Sequence, residues 1–272
     1  MTSSAGAHVV SLGTDDDNTN ALSGVLVTRN SLTVNGAANE HGIMLGRGCE
    51  GAEISYNTLR GAFLGIVVKG NDCLVVGNQV SRTSAANGLA GIHLKGASGC
   101  TVAYNTAVGG NTSTGAALFL QDNDQTTASA SEDNYIHDNI FAADGAAYAV
   151  AVSSSIGDVY SNIIDRNCYY GGATALMVIA GVNKTLPAAQ TAWAANSTTE
   201  IGKGNDLNSI NAEPQFFNLA GADFRLLPGS ACVNSGSATP GPGKSTIGAW
   251  QPNCVTEVSQ RSRYNFEDMY TE

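Results

Sequence analysis

Val75-Val76-Gly77-Asn78-Gln79-Val80 decides the fold, because the same pattern returns along the chain: an aliphatic residue, two variable positions, Asn, one more position, then a small or apolar residue. It reads Val27-Asn30-Leu32, Ile54-Asn57-Leu59, Val75-Asn78-Val80, Val102-Asn105-Ala107, Ile136-Asn139-Phe141 and Val159-Asn162-Ile164. The asparagines are 27, 21, 27, 34 and 23 residues apart. Self-similarity on this scale marks a solenoid, in which each unit buries its apolar face only against its neighbours.

A second short run comes after the first within each unit: Gly42-Ile-Met-Leu45, Gly65-Ile-Val-Val68, Gly91-Ile-His-Leu94 and Ala117-Leu-Phe-Leu120. Runs of four to six Val, Ile and Leu residues, punctuated by Gly, Asn, Asp and Ser, leave the coils no room for a helix of ten or more residues. Two or three such strands per turn of twenty-odd residues is the arithmetic of an all-β, single-stranded, right-handed parallel β-helix, with coils stacked about 4.8 Å apart. The recurrent Asn then has a structural task. It tolerates a left-handed corner, and its amide bonds to the equivalent Asn of the next coil.

On these residues the chain resembles the right-handed parallel β-helix proteins of the pectate-lyase-like superfamily, from about residue 25 to residue 252. After the last repeat, Asn167-Cys-Tyr-Tyr170, Leu186 to Trp193, Asp206-Leu-Asn-Ser-Ile210, Glu213-Pro-Gln-Phe216, Asp223-Phe-Arg-Leu226, Pro228-Gly-Ser230 and Ile247-Gly-Ala-Trp250 resemble the closing segment of such proteins. The expected organisation is an N-terminal segment over 1–24, coils over 25–180, a closing segment over 181–252 and a polar tail over 253–272 suited to an assembly strap. Trp193, Phe216, Phe217, Phe224 and Trp250 are expected to cap one end of the stack. The resemblance implies a fold more than a chemistry, since lyases, hydrolases, esterases, epimerases and inert modules share it.

The net charge is −10 with only 13 Lys and Arg, which argues against nucleic acid as a partner. It also means that an acidic glycan needs a local basic site. No run of roughly 18 apolar residues predicts a membrane span. No signal peptide is legible at Met1 to Gly13, so the expected setting is extracellular or virion, reached with a removed signal or by lysis.

The six cysteines lack Cys-x-x-Cys spacing and a nearby His, which argues against zinc. Cys73 and Cys100 each precede a repeat by two positions and should stack as buried free thiols, because in-register strands point both sulfurs the same way. Asp15-Asp-Asp17-Asn18 offers oxygen ligands of the kind calcium takes, but the spaced Asp-x-Asp-x-Asp-Gly pattern is missing and a solvated loop is preferred. No cofactor is otherwise implied.

Side chains alternate across a strand. With Ile66, Val68, Ile92, Leu94, Leu118 and Leu120 inside, Val67, His93 and Phe119 form one outward column and Lys69, Lys95 and Gln121 the next. Two ammonium groups about 5 Å apart at the backbone repel unless an anion lies between them. Lys69, Lys95, His93 and Arg47 are therefore the candidate catalytic set. In a uronate lyase one cation neutralises the substrate carboxylate, a neutral Lys removes the adjacent proton, and His93 or Arg47 assists the leaving oxygen. Phe119, Gln121, Asp122 and Asp124 are the candidate substrate contacts, Met44 adds an apolar platform, and Gln125 to Asp133 reads as an insertion walling a groove. The bland reading is that both lysines splay into water and that Gln121 to Asp124 is a turn.

Three functions are compatible with these residues. The first is a polysaccharide-recognising β-helix, a uronate lyase or phage-type depolymerase if it cleaves, with Lys69, His93 and Lys95 in an open groove. The second is a structural virion or assembly protein, a homo-oligomer or part of a larger assembly, with the same columns covered. The third is a secreted adhesin-like module.

Overall fold

The computed structural model describes residues 9–13, 22–34, 41–62, 64–81, 90–109, 115–121, 131–143, 148–152, 162–171, 175–196, 206–233, 235–236 and 247–248. Three long sheets run side by side along the stack. The first takes Val10–Leu12, His41–Leu45, Leu64–Val68, Ala90–Lys95, Ala116–Gln121, Tyr148–Val152 and Met177–Ile179 in parallel, and ends in an antiparallel strand, Val182–Lys184. The second takes Leu26–Thr28, Glu53–Ser55, Leu74–Val76, Thr101–Ala103, Tyr135–His137 and Ile163–Asp165. The third takes Ser31–Thr33, Thr58–Arg60, Gln79–Ser81, Thr106–Val108, Ile140–Ala142, Cys168–Tyr170 and Ile210–Asn211. Each coil of chain thus contributes one strand to each sheet. Val10–Leu12, ahead of the first Asn repeat, already pairs with Ile43–Leu45.

The interior is filled in register, by two residues from each longer strand of the first sheet, where Leu45, Val68, Leu94, Leu120 and Val152 make the second column, and by one from each strand of the other two. Ile43, Ile66, Ile92, Leu118 and Val150 stack on the first sheet, Val27, Ile54, Val75, Val102, Ile136 and Ile164 on the second, and Leu32, Leu59, Val80, Ala107, Phe141 and Tyr169 on the third. The two late positions of the third sheet are aromatic, and the Phe141 and Tyr169 rings stack 6.2 Å apart. The glycine before the aliphatic run marks a tight place: a Cβ on Gly65 would overlap the Val80 side chain and the Gly91 carbonyl oxygen.

The asparagines form the ladder that the spacing predicts, at the corner between the second and third sheets. Their corner conformation differs from the expectation. The left-handed residue is the one before the Asn, namely Arg29, Tyr56, Gly77, Tyr104, Asp138 and Arg166, with φ between 52° and 65°. The Asn itself turns inward, which places its amide within reach of the next coil. The sixth rung is Asn167 rather than Asn162: the Asn139 backbone N–H donates to Asn167 Oδ1 at 2.9 Å. Asn162 belongs to a second ladder at the other corner, accepting from the Asn134 amide at 2.8 Å, while Asn134 Oδ1 accepts from the Cys100 N–H at 2.9 Å. Both corners use the same chemistry, so the local pattern around Asn162 imitates the wrong one. Val159 lies outside the described residues.

Cys73 and Cys100 occupy this second column, buried and free as expected, with the Cys73 N–H directed at Cys100 Sγ over 3.4 Å. Cys49, Cys168 and Cys232 are also free and buried.

The chain after residue 180 departs from the expected end cap. A helix, Leu186–Asn196, places Leu186 and Ala189 against the core beside Met177. Phe216 and Phe224 instead lie along the flank of the third sheet, on an antiparallel hairpin of Phe216–Asn218 and Asp223–Leu226. There Phe224 and Ala222 cover the outward Val108 and Ala142, while Cys232 and Ile247 cover the outward Ile140 and Cys168. The outward face of the third sheet is polar on its early strands, with Ser31, Thr58, Arg60 and Gln79, and turns apolar at Val108, Ile140, Ala142 and Cys168, so its late strands require a cover along their side. The side chains of Trp193 and Trp250 and the tail 253–272 lie outside the described residues.

Candidate functional site

The outward columns of the first sheet have the register predicted for them. Met44, Val67, His93, Phe119 and Ala151 are successive partners, and Lys95 is level with Gln121. Val68 pairs with both Leu45 and Leu94, so Lys69, one residue on, falls in the column of Lys95. Backbone bonds hold that level: Lys69 N–H donates to Leu45 O at 2.9 Å and Gly96 N–H to Gln121 O at 2.8 Å.

The columns are not an open groove at every position. Lys69 is 6% exposed, His93 3%, Met44 5% and Val67 2%, whereas Arg47, Lys95, Phe119 and Gln121 are half-buried. Met44, Leu64, Val67 and Ala90 form an apolar cluster with Phe119 on this outer face. Lys69 therefore does not splay into water, and Met44 is packed rather than presented.

The Phe119 ring stacks on the His93 imidazole, 4.9 Å between centroids and 15° from parallel. Burial pushes the His93 pKa down to about 3, with Lys95, His41 and Lys69 acting in the same sense and the Gln121 side chain against it. His93 is therefore a neutral ring at neutral pH. A neutral ring keeps one N–H as a hydrogen-bond donor but is a weak general acid, and a base of this strength is a weak one, which speaks against the expected role at a leaving oxygen. Asp122, Asp124, the 125–130 part of the insertion and the Asp15–Asn18 run lie outside the described residues. Among the described residues no group of three His, Cys, Asp or Glu is placed to hold a metal.

A second polar cluster surrounds His137, a residue with no recognisable motif in the sequence, and sits outside the second sheet near the Asn corner. His137 Nδ1 lies 2.6 Å from Asp138 Oδ2, and the ring is stacked on Tyr135 at 4.0 Å with the Tyr104 ring edge-on at 5.8 Å. Arg166 donates to Tyr135 Oη at 2.9 Å and pairs with Asp165 at 3.2 Å, and Asp165 accepts from Asn208 at 2.9 Å. The available signal was the ladder itself. Every residue before a rung Asn lies at one corner, so Tyr104, Asp138 and Arg166 had to be neighbours.

A third cluster ties the last coil to the helix and the closing segment. Tyr169 Oη donates to Asp206 Oδ1 at 2.8 Å, Ser209 Oγ bonds the same oxygen, and Gln190 of the helix donates to the Asp206 carbonyl at 2.6 Å. Burial pushes the Asp206 pKa up to about 7, Asp165 adds to the rise, and the Ser209 and Tyr169 bonds oppose it.

Short parallel strands in three in-register sheets, asparagine-laddered corners and a charged column on one outer face define a parallel β-helix protein. The family model described as a right handed beta helix region matches residues 16–178, and the chain belongs to that family. Comparison with curated proteins and with solved structures returned no match. Among the described residues no helix is long and apolar enough to cross a membrane.

Proposed function

We propose that the chain recognises an acidic polysaccharide through the outer face of the first sheet. The observation that carries this reading is the placement of Lys69 and Lys95 at one level of adjacent coils, beside Phe119 and Gln121, on a chain whose net charge is −10. A uronate carboxylate is complementary to two lysines at one level of adjacent coils, and an aromatic ring accepts the apolar face of a sugar. Arg47 supplies a further fixed cation for the same ligand. The neutral His93 contributes shape and stacking to this reading rather than acid catalysis. An extracellular or virion setting accompanies it, with a homo-oligomer or larger assembly as the working form.

The test is titration of acidic and neutral polysaccharides into wild type and a Lys69→Ala, Lys95→Ala variant, with ultraviolet absorbance followed for unsaturated uronate products. Selective binding of an acidic chain, weakened in the variant and by salt, supports the reading; new absorbance adds lyase cleavage to it. Equal binding of neutral chains, or none of any, removes it.

The chain's own burial of Lys69, His93, Met44 and Val67 leaves little of that column for a ligand, which favours a second reading, a structural virion or assembly protein. That reading expects no polysaccharide binding at all.

A further inference from the structure

Of the five described cysteines, two meet across a boundary. Cys168 lies on a strand of the third sheet and faces outward, while Cys232 belongs to the turn that crosses that flank. Both are fully buried in one apolar cluster with Ile140 and Ile247. Within that cluster each thiol acts on the other: Cys168 favours the thiolate of Cys232, and Cys232 disfavours that of Cys168. The Cys168 thiol donates to the Ala212 carbonyl oxygen at 3.4 Å. Cys232 is held by its N–H to Ser230 Oγ at 3.1 Å and by its carbonyl to the Ile247 N–H at 3.0 Å.

We propose that Cys168 and Cys232 are an oxidisable pair whose disulfide pins the segment 206–233 to the flank of the third sheet. Cys73 and Cys100 are neighbours too, the Cys73 N–H donating to Cys100 Sγ, but they are stacked on in-register parallel strands whose Cβ vectors run side by side, a poor geometry for bridging. A strand and a crossing turn carry no such restriction.

The oxidant is a small-molecule disulfide such as oxidised glutathione. The Cys232 thiolate attacks one of its sulfurs, forming a mixed disulfide and releasing one glutathione thiolate, which takes up a proton. Cys168, giving up its proton, then attacks the Cys232 sulfur and releases the second glutathione; two electrons pass to the oxidant in all. Because both sulfurs are shielded from solvent, the reaction proceeds through transient lifting of the segment. The bond then closes a loop between positions 168 and 232, which opposes further lifting.

The reduced chain is incubated with oxidised glutathione, remaining thiols are alkylated, and the digest is mapped by mass spectrometry. The expected product joins the Cys168 and Cys232 peptides and leaves Cys73 and Cys100 alkylated. Trypsin cleavage after the exposed Arg225 should slow by ~10-fold or more in the oxidised form, and Cys232→Ser should abolish the difference. Alkyl label on both Cys168 and Cys232 after oxidation overturns the proposal, as does an unchanged cleavage rate. The mapping uses the wild-type chain and so decides the matter even if the Ser variant does not fold.

Discussion

The backbone N–H and the side-chain amide of Asn57 both donate to one atom, Oδ1 of Asn78, at 2.9 and 3.0 Å. Asn78 repeats this toward Asn105 and also donates to the Ile54 carbonyl oxygen at 2.9 Å. A buried rung therefore satisfies a backbone donor of its neighbour while its own polar atoms are all used, which is why the ladder is cheap to bury.

Asn78→Ala removes these bonds and orphans the Asn57 backbone N–H. The expected loss is about 3 kcal/mol, from several net bonds and one unsatisfied donor. Asn30, exposed at the first rung, should cost about 1 kcal/mol or less when changed to Ala, since water replaces its partners. Urea denaturation of the two variants measures the difference, and equal losses would contradict a cooperative ladder.

Gly65→Ala should destabilise by about 2 kcal/mol or more, because the new methyl meets the Gly91 carbonyl, which cannot move without breaking coil stacking. Thermal unfolding reads this. Gly51, where an added Cβ meets nothing within 4 Å, carries only the cost of its left-handed φ of 63° and should lose less.

His93 and Asp206 give opposite pH dependences. The native His93 refuses a proton that the unfolded chain accepts between about 3 and 6.5, so its contribution to stability is lost as pH falls through that window. Native Asp206 keeps a proton that the unfolded chain releases between 3.8 and about 7, so its contribution is lost as pH rises. The slopes cancel where the windows overlap. His93→Phe should leave stability falling with pH by about 1 kcal/mol per unit, and Asp206→Asn should leave it rising by about as much. Denaturant midpoints over a pH series check both signs.

Asp138→Ala strips the buried partner from His137. Losing a buried hydrogen bond to a carboxylate costs about 1.5 to 3 kcal/mol, and the left-handed φ of 56° at this position penalises Ala further. Asp138→Asn tolerates that φ and keeps a hydrogen-bond acceptor, so it should recover part of the loss in the same denaturation measurement.

Much of this molecule was legible in the chain because a stacked coil repeats its environment. The apolar position of each strand, the Asn rung and the level of Lys69, Lys95 and Gln121 all derive from a side-chain period of two and an in-register repeat. Local sequence sufficed there, since each residue's neighbours are its own equivalents one coil away. It failed at Asn162, where two corners of like chemistry compete, and at the left-handed site, which belongs to the residue before each rung.

Tertiary structure alone decided what lies against the outside. The burial of Lys69 and His93, the packing of Phe216 and Phe224 on the third sheet's flank, the near-neutral Asp206 and the meeting of Cys168 with Cys232 each depend on groups that no repeat relates to one another. Periodicity specifies the core of a solenoid, where every contact recurs. Desolvation and charge on its surface depend on single, non-recurring contacts between distant parts of the chain, and those exist only once the chain has folded.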